Sequence, residues 1–510
     1  MAVSDIVVIG AGIAGAGAAL RLADRGFKPI VVERAFPASG PTGKSSAITH
    51  AFYMMPELSQ LAIRGCEILR RIPELTGAAP CVSEVGMMWV MNAAAQPAWS
   101  ATVARIRQEG AKIETLSVDE FARRAPGFTL DQIAMAVWEP EYGYADPHGA
   151  TTALIDGAKQ RGAKVLNNSI AERIHVTGGK VAGVELGSGE RIACDRVVVA
   201  VGVWSKRFFA KHGIDLPVTI ERHPMAVLDA PGRARDIMPF SWCDDAMLHY
   251  GRPDGDSRIL LGTWAGGGTG VRHDEQKRPR GVTDPDSYDE VVDLDESSDI
   301  LSWALPRIPA IAELGIRKGY AGLYDMSPDD NPIIDQAPGI DGLHFACGSS
   351  GHGFKLGPAV GEALADWAVG EKRSQLEAFP LQRFSGGVSQ STFLPHWMPD
   401  ALMAAQGLRA TTHGVRGAKH RLYVVLLKDT RTAGRWGLYV GETSLDPDMR
   451  FDQHKTGYKA SRYVNRFGIR LLPTLFEHFN PLRRWEAVEL EPVLAEAFRQ
   501  AGVPWVEGGH

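Results

Sequence analysis

The stretch IVVIGAGIAGAGAALRLADRG at 6–26 decides the fold of this chain. Its first four residues predict a buried strand, and Gly10, Gly12 and Gly15 then allow a tight turn that brings backbone close to a phosphate. The helix that follows directs the positive end of its dipole at that phosphate. Glu33 ends the next predicted strand, where a ribose hydroxyl needs an acceptor. The pattern predicts a Rossmann-like, dinucleotide-binding turn.

A second stretch, ACGSSGHGFKLGPAVGEALADW at 346–367, also reads as strand, glycine turn and helix. It predicts another helix N-terminus that points at the same ligand from a distant part of the chain. Two such termini on one ligand fit a bound flavin better than a diffusible nicotinamide. We therefore expect Gly12 and Gly353 to share one cavity.

Length and composition indicate a large protein with more than one domain. The chain has 510 residues, 45% of them hydrophobic, and a net charge of −5, but residues 411–510 carry 15 Lys and Arg against 11 Asp and Glu. This local excess predicts a small basic module at the end of the chain. No apolar run approaches the ~20 residues that span a bilayer, so we expect no membrane insertion. The five cysteines have no metal-binding spacing, which favours a reducing, cytoplasmic location.

The later part of the chain shows a boundary. Residues 387–420 lack clear periodicity and predict a linker, and residues 421–510 then restart in the order β, β, α, β, α. The acid-rich stretch DPDSYDEVVDLDESSD at 284–299 predicts a solvated surface.

Three further segments accompany the two glycine turns. GPTGKSSAITHAFY (40–53) is a small-residue loop suited to passing over an isoalloxazine, and VVVAVGVWSKRF (197–208) ends a predicted buried strand at Gly202. The third is GLYDMSPDDNPIID (322–335). In this order and spacing, the segments resemble the superfamily of D-amino-acid oxidase, sarcosine oxidase and glycine oxidase over about residues 4–386.

This resemblance implies a fold of the α/β and α+β classes. A Rossmann-like FAD-binding domain (about 1–85, 148–215 and 318–386) would be interleaved with an antiparallel-sheet substrate domain (about 86–147 and 216–317). It also implies oxidation of the C–N bond of a sarcosine-like, D-amino-acid-like or glycine-like substrate, with hydride transfer to flavin N5. The implied cofactor-binding residues are Gly10, Gly12, Gly15, Glu33, Arg34, Thr42, Gly43, Ser45, Ser46, Ile170, Gly202, Trp204, Gly351, Gly353, Phe354 and Lys355.

Three of the residues would act around the substrate. The resemblance implies that Lys355 holds the substrate carboxylate and that Tyr324 lines the same pocket. A surface lysine and a packed core tyrosine are the alternatives. His352 is expected to contact the flavin or to be structural rather than to carry a proton.

The chain departs from this superfamily in three respects. A cysteine that tethers flavin in some members is Gly322 here, which implies FAD bound without that bond. A lysine that promotes oxygen reduction falls at Leu260, so an oxidase and a dehydrogenase using another acceptor remain equally open. The arginine expected near Thr49–His50 is missing. Arg222 or Arg317 could replace it, the alternative for each being a surface ion pair.

Residues 421–510 resemble a different family, the GIY-YIG endonucleases, through LYVVLLKD (422–429), GLYVGETSLDPDMRFDQHKTGYKASRYV (437–464) and EAVELEPVLAEAF (486–498). This resemblance implies a small α+β domain that binds nucleic acid and cleaves phosphodiesters. The implied site residues are Tyr439, Arg450, His454 and Glu491, the last as a ligand of Mg²⁺.

One departure weakens the nuclease interpretation. The tyrosine expected to end the first motif is Val425, with Tyr423 two residues earlier on the same face of the strand. A degenerate fold kept for packing or binding is the alternative. An alternative from another functional class also applies to the whole chain: a nucleic-acid-binding protein or Mg-dependent endonuclease in which the flavin part is regulatory.

Overall fold

The computed structural model describes residues 2–93, 96–263, 282–384, 398–415, 417–429, 435–455, 460–472 and 475–508. The chain forms two compact units. The first consists of Met1–Asn92, Gln96–Trp264 and Pro279–Gln382, and the second consists mainly of Arg383–His510.

The described helices and strands of the first unit alternate along the chain. Its strands are β1 (Ala2–Val3), β2 (Ile6–Ile9), β3 (Ile30–Val32), β4 (Ile48–Thr49), β5 (Val82–Ser83), β6 (Met87–Met91), β7 (Glu114–Leu116), β8 (Met135–Glu139), β9 (Gly143–Ala145), β10 (Lys164–Leu166), β11 (Ala171–Thr177), β12 (Lys180–Leu186), β13 (Arg191–Ala193), β14 (Arg196–Val199), β15 (Thr219–Asp229), β16 (Ser241–Asp244), β17 (His249–Asp254), β18 (Arg258–Thr263), β19 (Val291–Val292), β20 (Gly315–Met326), β21 (Ile333–Gln336) and β22 (Leu343–Cys347). Its helices are α1 (Ile13–Asp24), α2 (Pro56–Arg70), α3 (Ile72–Thr76), α4 (Gln96–Gln108), α5 (Val118–Arg124), α6 (Pro147–Gln160), α7 (Ser205–Ala210), α8 (Ala234–Ile237), α9 (Leu294–Ala304) and α10 (Gly353–Ala368).

A six-stranded sheet with the order β10-β3-β2-β14-β22-β21 carries the predicted dinucleotide turn. Its strands are parallel except for β21, which runs antiparallel to β22. The runs Ile6–Ile9 and Ile30–Val32 are buried throughout, as expected for parallel strands covered on both faces. Helices α1 and α10 both follow strands of this sheet, so their N-termini lie at its carboxyl edge.

Helices α1 and α10 pack in close backbone contact because small residues face each other. A Cβ added to Gly17 would lie 2.7 Å from the Pro358 carbonyl oxygen, and one added to Gly361 would lie 2.0 Å from the Ala14 carbonyl oxygen. No larger side chain fits at either position without separating the helices. The glycines therefore fix the distance between the two predicted phosphate-facing termini.

A nine-stranded sheet with the order β19-β20-β15-β18-β17-β16-β6-β8-β7 forms the second layer of the first unit. Its neighbours are antiparallel except for β16 and β6. Phe121 and Trp242, both fully buried, stack at 5.7 Å between ring centroids in the core under this sheet. The long strand β20 ends beside the carboxyl edge of the six-stranded sheet. The mixed α/β fold predicted for this part of the chain is confirmed.

The second unit contains the strands β23 (Arg421–Asp429), β24 (Arg435–Thr443), β25 (Gly468–Leu471) and β26 (Val506–Gly508), and the helices α11 (Met398–Gly407), α12 (Pro447–Lys455), α13 (Arg462–Phe467) and α14 (Arg484–Gln500). They form a small α+β unit around a four-stranded sheet with the order β25-β23-β24-β26.

The structure differs from the predicted linker at 387–420. Helix α11 lies inside that range, and its Ala401 and Ala405 are fully buried in the core of the second unit. The sequence MPDALMAAQG has too few large apolar residues to show helical periodicity, which is why this helix was not predicted. The part of the linker at 387–397 lies outside the described residues.

Two further sequence-based expectations concern the whole chain. Among the described residues, no helix combines the length and apolar character needed to cross a membrane. All five cysteines are free thiols.

Candidate cofactor and substrate site

A cavity of about 430 Å³ opens at the carboxyl edge of the six-stranded sheet. Gly10 and Gly12 line it from the turn after β2, and Gly351 and Gly353 line it from the turn before α10. The two glycine turns therefore meet at one cavity, in the place where open α/β sheets bind ligands.

Most of the predicted cofactor-binding residues line this cavity. Those that do are Gly10, Gly12, Glu33, Arg34, Thr42, Ser45, Ile170, Gly202, Trp204, Gly351, Gly353 and Phe354. Those that do not are Gly15, Gly43, Ser46 and Lys355.

The glycines outside the cavity lining are required for packing. A Cβ on Gly15 would lie 1.9 Å from the Gly10 carbonyl oxygen, and one on Gly43 would lie 2.3 Å from the Ala38 carbonyl oxygen. Ser46 uses its carbonyl oxygen to accept a hydrogen bond from Arg252 Nε at 2.6 Å. These residues shape the loops around the cavity and do not themselves face a ligand.

Glu33 lines the cavity with its carboxylate already oriented. The Ala11 N–H donates to Oε2 and the Ala35 N–H donates to Oε1, each at 2.8 Å. Two backbone donors fix the carboxylate plane without neutralising its charge. The free lone pairs can accept hydrogen bonds from the vicinal hydroxyls of a ribose.

The segment at 284–290, here called the strap, lies beside the cavity. Asp286 lines the cavity and accepts hydrogen bonds from Arg34 Nη1 at 2.6 Å and Trp204 Nε1 at 2.8 Å, and it also pairs with Arg207. Burial raises the pKa of Asp286, but these three donors outweigh it and lower the pKa to about 2.

A second anchor of the strap lies at its far end. Lys44 Nζ, also in the cavity lining, donates to Tyr288 Oη at 2.7 Å and pairs with Glu290. The predicted solvated surface is confirmed for this stretch, since its acidic residues are exposed or half-buried, but Asp284, Asp286 and Glu290 also pair with basic residues around the cavity.

The turn before α10 is held by a buried carboxylate that the sequence analysis missed. Asp325 Oδ2 accepts a hydrogen bond from the Gly348 N–H at 2.7 Å, and burial raises the pKa of Asp325 to about 6. Gly351 has a φ of 84°, and a Cβ there would lie 2.6 Å from the ring of Tyr324. Tyr324 therefore packs directly on the turn and lines the cavity, whereas Lys355, which the resemblance places in the same pocket, does not line it.

Lys355 lies in the first turn of α10 and is only 7% exposed. Its Nζ lies 5.8 Å from the ring centroid of Tyr53, and no described carboxylate forms an ion pair with it. Burial lowers the pKa of Lys355 to about 8. The alternative of a surface lysine is therefore excluded: the ammonium is buried, and the buried Glu139 acts on it electrostatically without forming an ion pair.

His352 precedes α10 and does not line the cavity. Its Nδ1 hydrogen-bonds Tyr53 Oη at 3.0 Å. Burial and the charge of Lys355 lower the pKa of His352 to about 3, so its ring is neutral at pH 7. This agrees with a structural rather than a proton-carrying role.

Neither of the two arginines that could replace the one missing near Thr49–His50 lies at this site. Arg222 binds Glu296 at 2.5 Å, and the exposed Arg317 pairs with Asp229; neither lines the cavity. His50 itself is buried, and no described residue hydrogen-bonds its Nδ1. Leu260 is buried on β18 opposite Arg252.

In the second unit, four polar residues converge on the face formed by β23, β24 and α12. Ser461 N–H donates to His454 Nδ1 at 2.7 Å, so the ring proton is on Nε2, which donates to Tyr423 Oη at 2.7 Å. The ring centroids of Tyr439 and His454 are 5.9 Å apart, and Arg450 hydrogen-bonds Tyr423. Burial lowers the pKa of His454 to about 4.

Glu491 lies on helix α14, which packs on the same small sheet. Within the described residues, no group of three or more His, Cys, Asp or Glu side chains has an arrangement that could hold a metal ion. A magnesium ion at Glu491 therefore stays a prediction.

Three features meet at this cavity: a Rossmann-like turn, a carboxylate oriented for a ribose, and a second helix N-terminus. Together they define an enzyme that binds a dinucleotide redox cofactor. Comparison with known proteins gives the family. Residues 5–367 match the family described as "DAO: FAD dependent oxidoreductase".

Similar proteins agree with this match. The monomeric sarcosine oxidase of Bacillus sp. (strain B-0618) is 26% identical over 388 residues, which cover 74% of this chain and 96% of that protein. The N-methyl-L-tryptophan oxidase of Yersinia pestis (strain Pestoides F) is 28% identical over 395 residues, which cover 74% of this chain and 99% of that protein. The crystal structure of L-proline dehydrogenase from P. horikoshii is 25% identical with a TM-score of 0.67, covering 76% and 99%.

The chain belongs to the DAO family of FAD-dependent oxidoreductases. The prediction of an FAD-dependent oxidoreductase is confirmed. The family match ends at residue 367, so the main part of the second unit, Arg383–His510, lies outside it.

Proposed function

We propose that the first unit oxidises the C–N bond of an amine or amino acid that carries a carboxylate. The observation that supports this most directly is the buried ammonium of Lys355, which forms no ion pair with a described carboxylate. A buried charge is costly unless a group in contact pairs with it. A substrate carboxylate would supply that partner. The relatives' names point to sarcosine, N-methyl-L-tryptophan and L-proline, which all contain a carboxylate.

The residues around the cavity fit FAD. Glu33 offers its carboxylate to a ribose, and the α1 N-terminus, which has no acidic residue in its first turn, faces the cavity where a pyrophosphate would bind. The α10 N-terminus likewise has no capping side chain and no acidic residue in its first turn. When bound, FAD supplies the hydride acceptor for C–N oxidation.

We also propose that the FAD is held without a covalent bond through position 322. Gly322 lines the cavity, and a Cβ there would lie 3.4 Å from the Lys44 carbonyl oxygen, in ordinary contact. The position thus faces the ligand but has no thiol. Denaturation with acid should release all of the yellow chromophore into the supernatant, and chromophore that stays with the precipitated protein would contradict this proposal.

In this scheme, the chain's own residues bind and orient the substrate. Lys355 holds the carboxylate by a charge-assisted hydrogen bond, and Tyr324 forms a wall of the pocket. His352 stays neutral and supports the turn through Tyr53. The partial positive charge at the start of α10 favours negative charge that develops nearby.

Anaerobic mixing tests the function and names the substrate class. The purified protein is mixed without oxygen with N-methyl glycines, D-amino acids and cyclic imino acids, and bleaching of the flavin absorbance is followed. Rapid bleaching by a carboxylate-bearing amine is the expected result. Readmitting air then distinguishes an oxidase, which recovers its colour, from a dehydrogenase, which needs another acceptor. A protein that binds FAD but is bleached by no member of the panel would contradict the proposal.

For the second unit, we propose a GIY-YIG-like site that binds nucleic acid and hydrolyses phosphodiesters with Mg²⁺. Support comes from the convergence of Tyr423, Tyr439, Arg450 and His454, in which Tyr423 takes the side-chain position lost at Val425. Gly441 allows this arrangement, because a Cβ there would lie 2.5 Å from the Tyr423 ring.

Plasmid cleavage by the full-length chain tests this second proposal. We expect Mg²⁺-dependent nicking that Arg450→Ala and Glu491→Ala abolish and that Arg499→Ala, on an exposed part of α14, leaves unchanged. Neither cleavage nor retention of DNA would favour a packing role for this fold. Cleavage that requires flavin reduction would instead favour the regulatory role of the first unit. We also propose a cytoplasmic location, which the five free thiols support.

A further inference from the structure

Glu139 is a fully buried carboxylate beside Lys355 that the proposed function does not use. It ends β8, and both of its oxygens are occupied. The Ala51 N–H donates to Oε1 at 2.7 Å, and Trp89 Nε1 donates to Oε2 at 3.1 Å. A carboxylate with this burial and two donors is held in a single orientation.

The two donors connect Glu139 to the residues around the substrate. Ala51 lies between His50 and Phe52, so its hydrogen bond fixes the segment that carries the buried His50. The His50 ring packs edge-on against Trp89, with 4.9 Å between centroids, and lies 4.7 Å from the ring of Tyr53. Tyr53 in turn hydrogen-bonds His352. A contiguous set of contacts therefore runs from Glu139 to the start of α10.

The charge of Glu139 also acts on this site. The titratable groups that interact electrostatically with it come from five places in the fold: Tyr53, Cys66, Tyr142, Cys243 and Lys355. Burial raises the pKa of the Tyr53, Cys66, Tyr142 and Cys243 groups, so they are neutral at pH 7. Burial likewise lowers the pKa values of His50 and His352. Lys355 and Glu139 are thus the two members of the cluster that change charge near neutral pH.

We propose that Glu139 is a positioning residue that fixes His50 and sets the charge against which Lys355 binds an anionic substrate. This inference rests on the proposed function, because it requires a carboxylate at Lys355. With Glu139 ionised, its negative charge opposes the attraction of Lys355 for an incoming anion. With Glu139 protonated, that opposition is removed and the anion binds more tightly.

Proton uptake is the consequence. Burial raises the pKa of Glu139 to about 7. A bound anion disfavours ionised Glu139 and favours protonated Lys355, so binding raises both pKa values and draws protons from solution. At pH 7 a half-ionised Glu139 can take up about half a proton per anion bound, whereas Lys355, with its pKa of about 8, contributes mainly near pH 8.

Benzoate titration of the FAD-loaded protein tests the inference. Binding is followed by the change in flavin absorbance, and proton uptake is followed with a pH indicator in weak buffer. We expect wild-type protein to take up about half a proton per benzoate at pH 7. Glu139→Gln should take up only about a tenth of a proton at pH 7, but it should keep the uptake near pH 8 that comes from Lys355. Benzoate should also bind the variant several-fold more tightly at pH 8.

Three controls make the outcome unambiguous. Glu141→Gln removes a carboxylate two residues away that pairs with Arg70 and Lys112, and it should leave uptake unchanged. Trp89→Phe keeps the Glu139 carboxylate but removes one donor, so uptake should move to higher pH even if Glu139→Gln fails to fold. Benzamide, which has no charge, should cause no uptake.

Two different failures are distinguishable. If Lys355→Met abolishes benzoate binding but Glu139→Gln takes up protons at pH 7 like wild type, the role of Glu139 is wrong and the proposed carboxylate site stands. If wild type does not bind benzoate, or Lys355→Met binds it equally well, both the inference and the carboxylate site are contradicted.

Discussion

The cavity and the cluster of side chains around Lys355 are built in different ways. The cavity, here called the nucleotide end, is made largely of backbone: the turns at 10–15 and before α10, with Glu33 held by two N–H groups. The Lys355 end lies outside the lining of that cavity and is made of side chains from separate elements, including Tyr53, Glu139 and His352. In the proposed function, the first end recognises features common to every dinucleotide, and the second end determines which molecule is oxidised.

This difference predicts where substitutions act. Changes at the nucleotide end should alter FAD retention with little effect on substrate choice. Changes at the Lys355 end should alter substrate binding while the protein stays yellow.

The largest effect is expected at Gly10. A Cβ there would lie 2.4 Å from the Ala200 carbonyl oxygen, so Gly10→Ala must displace the strand end that carries the cofactor turn. We expect loss of FAD from the purified protein. The matched control is Gly26→Ala, which also has a positive φ but has no atom within 4 Å of the added Cβ. It should cost about 1 kcal/mol in the free energy of unfolding and keep its flavin. Equal flavin content in the two variants would contradict the argument.

The next effect is expected at Lys355. Lys355→Met removes the buried ammonium, so kcat/KM for the substrate found in the anaerobic panel should fall about 10- to 150-fold, corresponding to ~1.5–3 kcal/mol for a charged hydrogen bond. FAD content, measured by absorbance, should not change. Lys318→Met, at an exposed position, is the control for the general loss of a positive charge. Loss of flavin from Lys355→Met would show that Lys355 also serves FAD binding and would contradict the assignment of separate roles to the two ends.

A smaller effect is expected at the strap. Asp286→Asn weakens contacts with Arg34 and Arg207, and because this carboxylate is partly exposed its contribution is screened to about 1 kcal/mol. FAD should dissociate about 5-fold faster on dilution, as measured by recovery of flavin fluorescence. Added salt should accelerate release from wild type more than from the variant.

Asp289→Asn is the control for the strap, because it changes the same charge in the same segment without touching the cavity lining. Its side chain accepts a hydrogen bond from the Val291 N–H. Faster release from this control, or a salt effect equal in both proteins, would show that Asp286 does not retain the cofactor.

The smallest effect is expected at Tyr53. Tyr53→Phe leaves His352 Nδ1 without its hydrogen bond, which should cost about 1 kcal/mol and lower kcat/KM about 5-fold. The flavin spectrum should stay the same. An effect on FAD affinity larger than that on kcat/KM would place Tyr53 at the nucleotide end.

The nucleotide end could be predicted from the sequence because its features are local. Gly10, Gly12 and Gly15 lie within six positions; an added Cβ would meet backbone at Gly10 and Gly15 and the Thr42 hydroxyl at Gly12. Even there, Gly15 and Gly43 proved to serve packing, since a glycine required beside a ligand and one required beside a carbonyl look the same in a sequence.

The Lys355 end could be predicted only where a motif carried it. Glu139 was not found, because its partners Ala51 and Trp89 lie about 90 and 50 positions away. Asp325 was missed for the same reason. His50 was noticed only as the place where an arginine was expected. In the second unit, α11 was missed because its buried residues are alanines, whose small side chains leave little periodic signal.

The close packing of α1 on α10 has a consequence for biosynthesis. The helix that begins at Ile13 contacts one that begins at Gly353, so the flavin-binding cavity needs residues made at the start and near the end of the first unit. We therefore expect that a nascent chain ending before Gly361 does not retain FAD and that a chain extended well past that residue does.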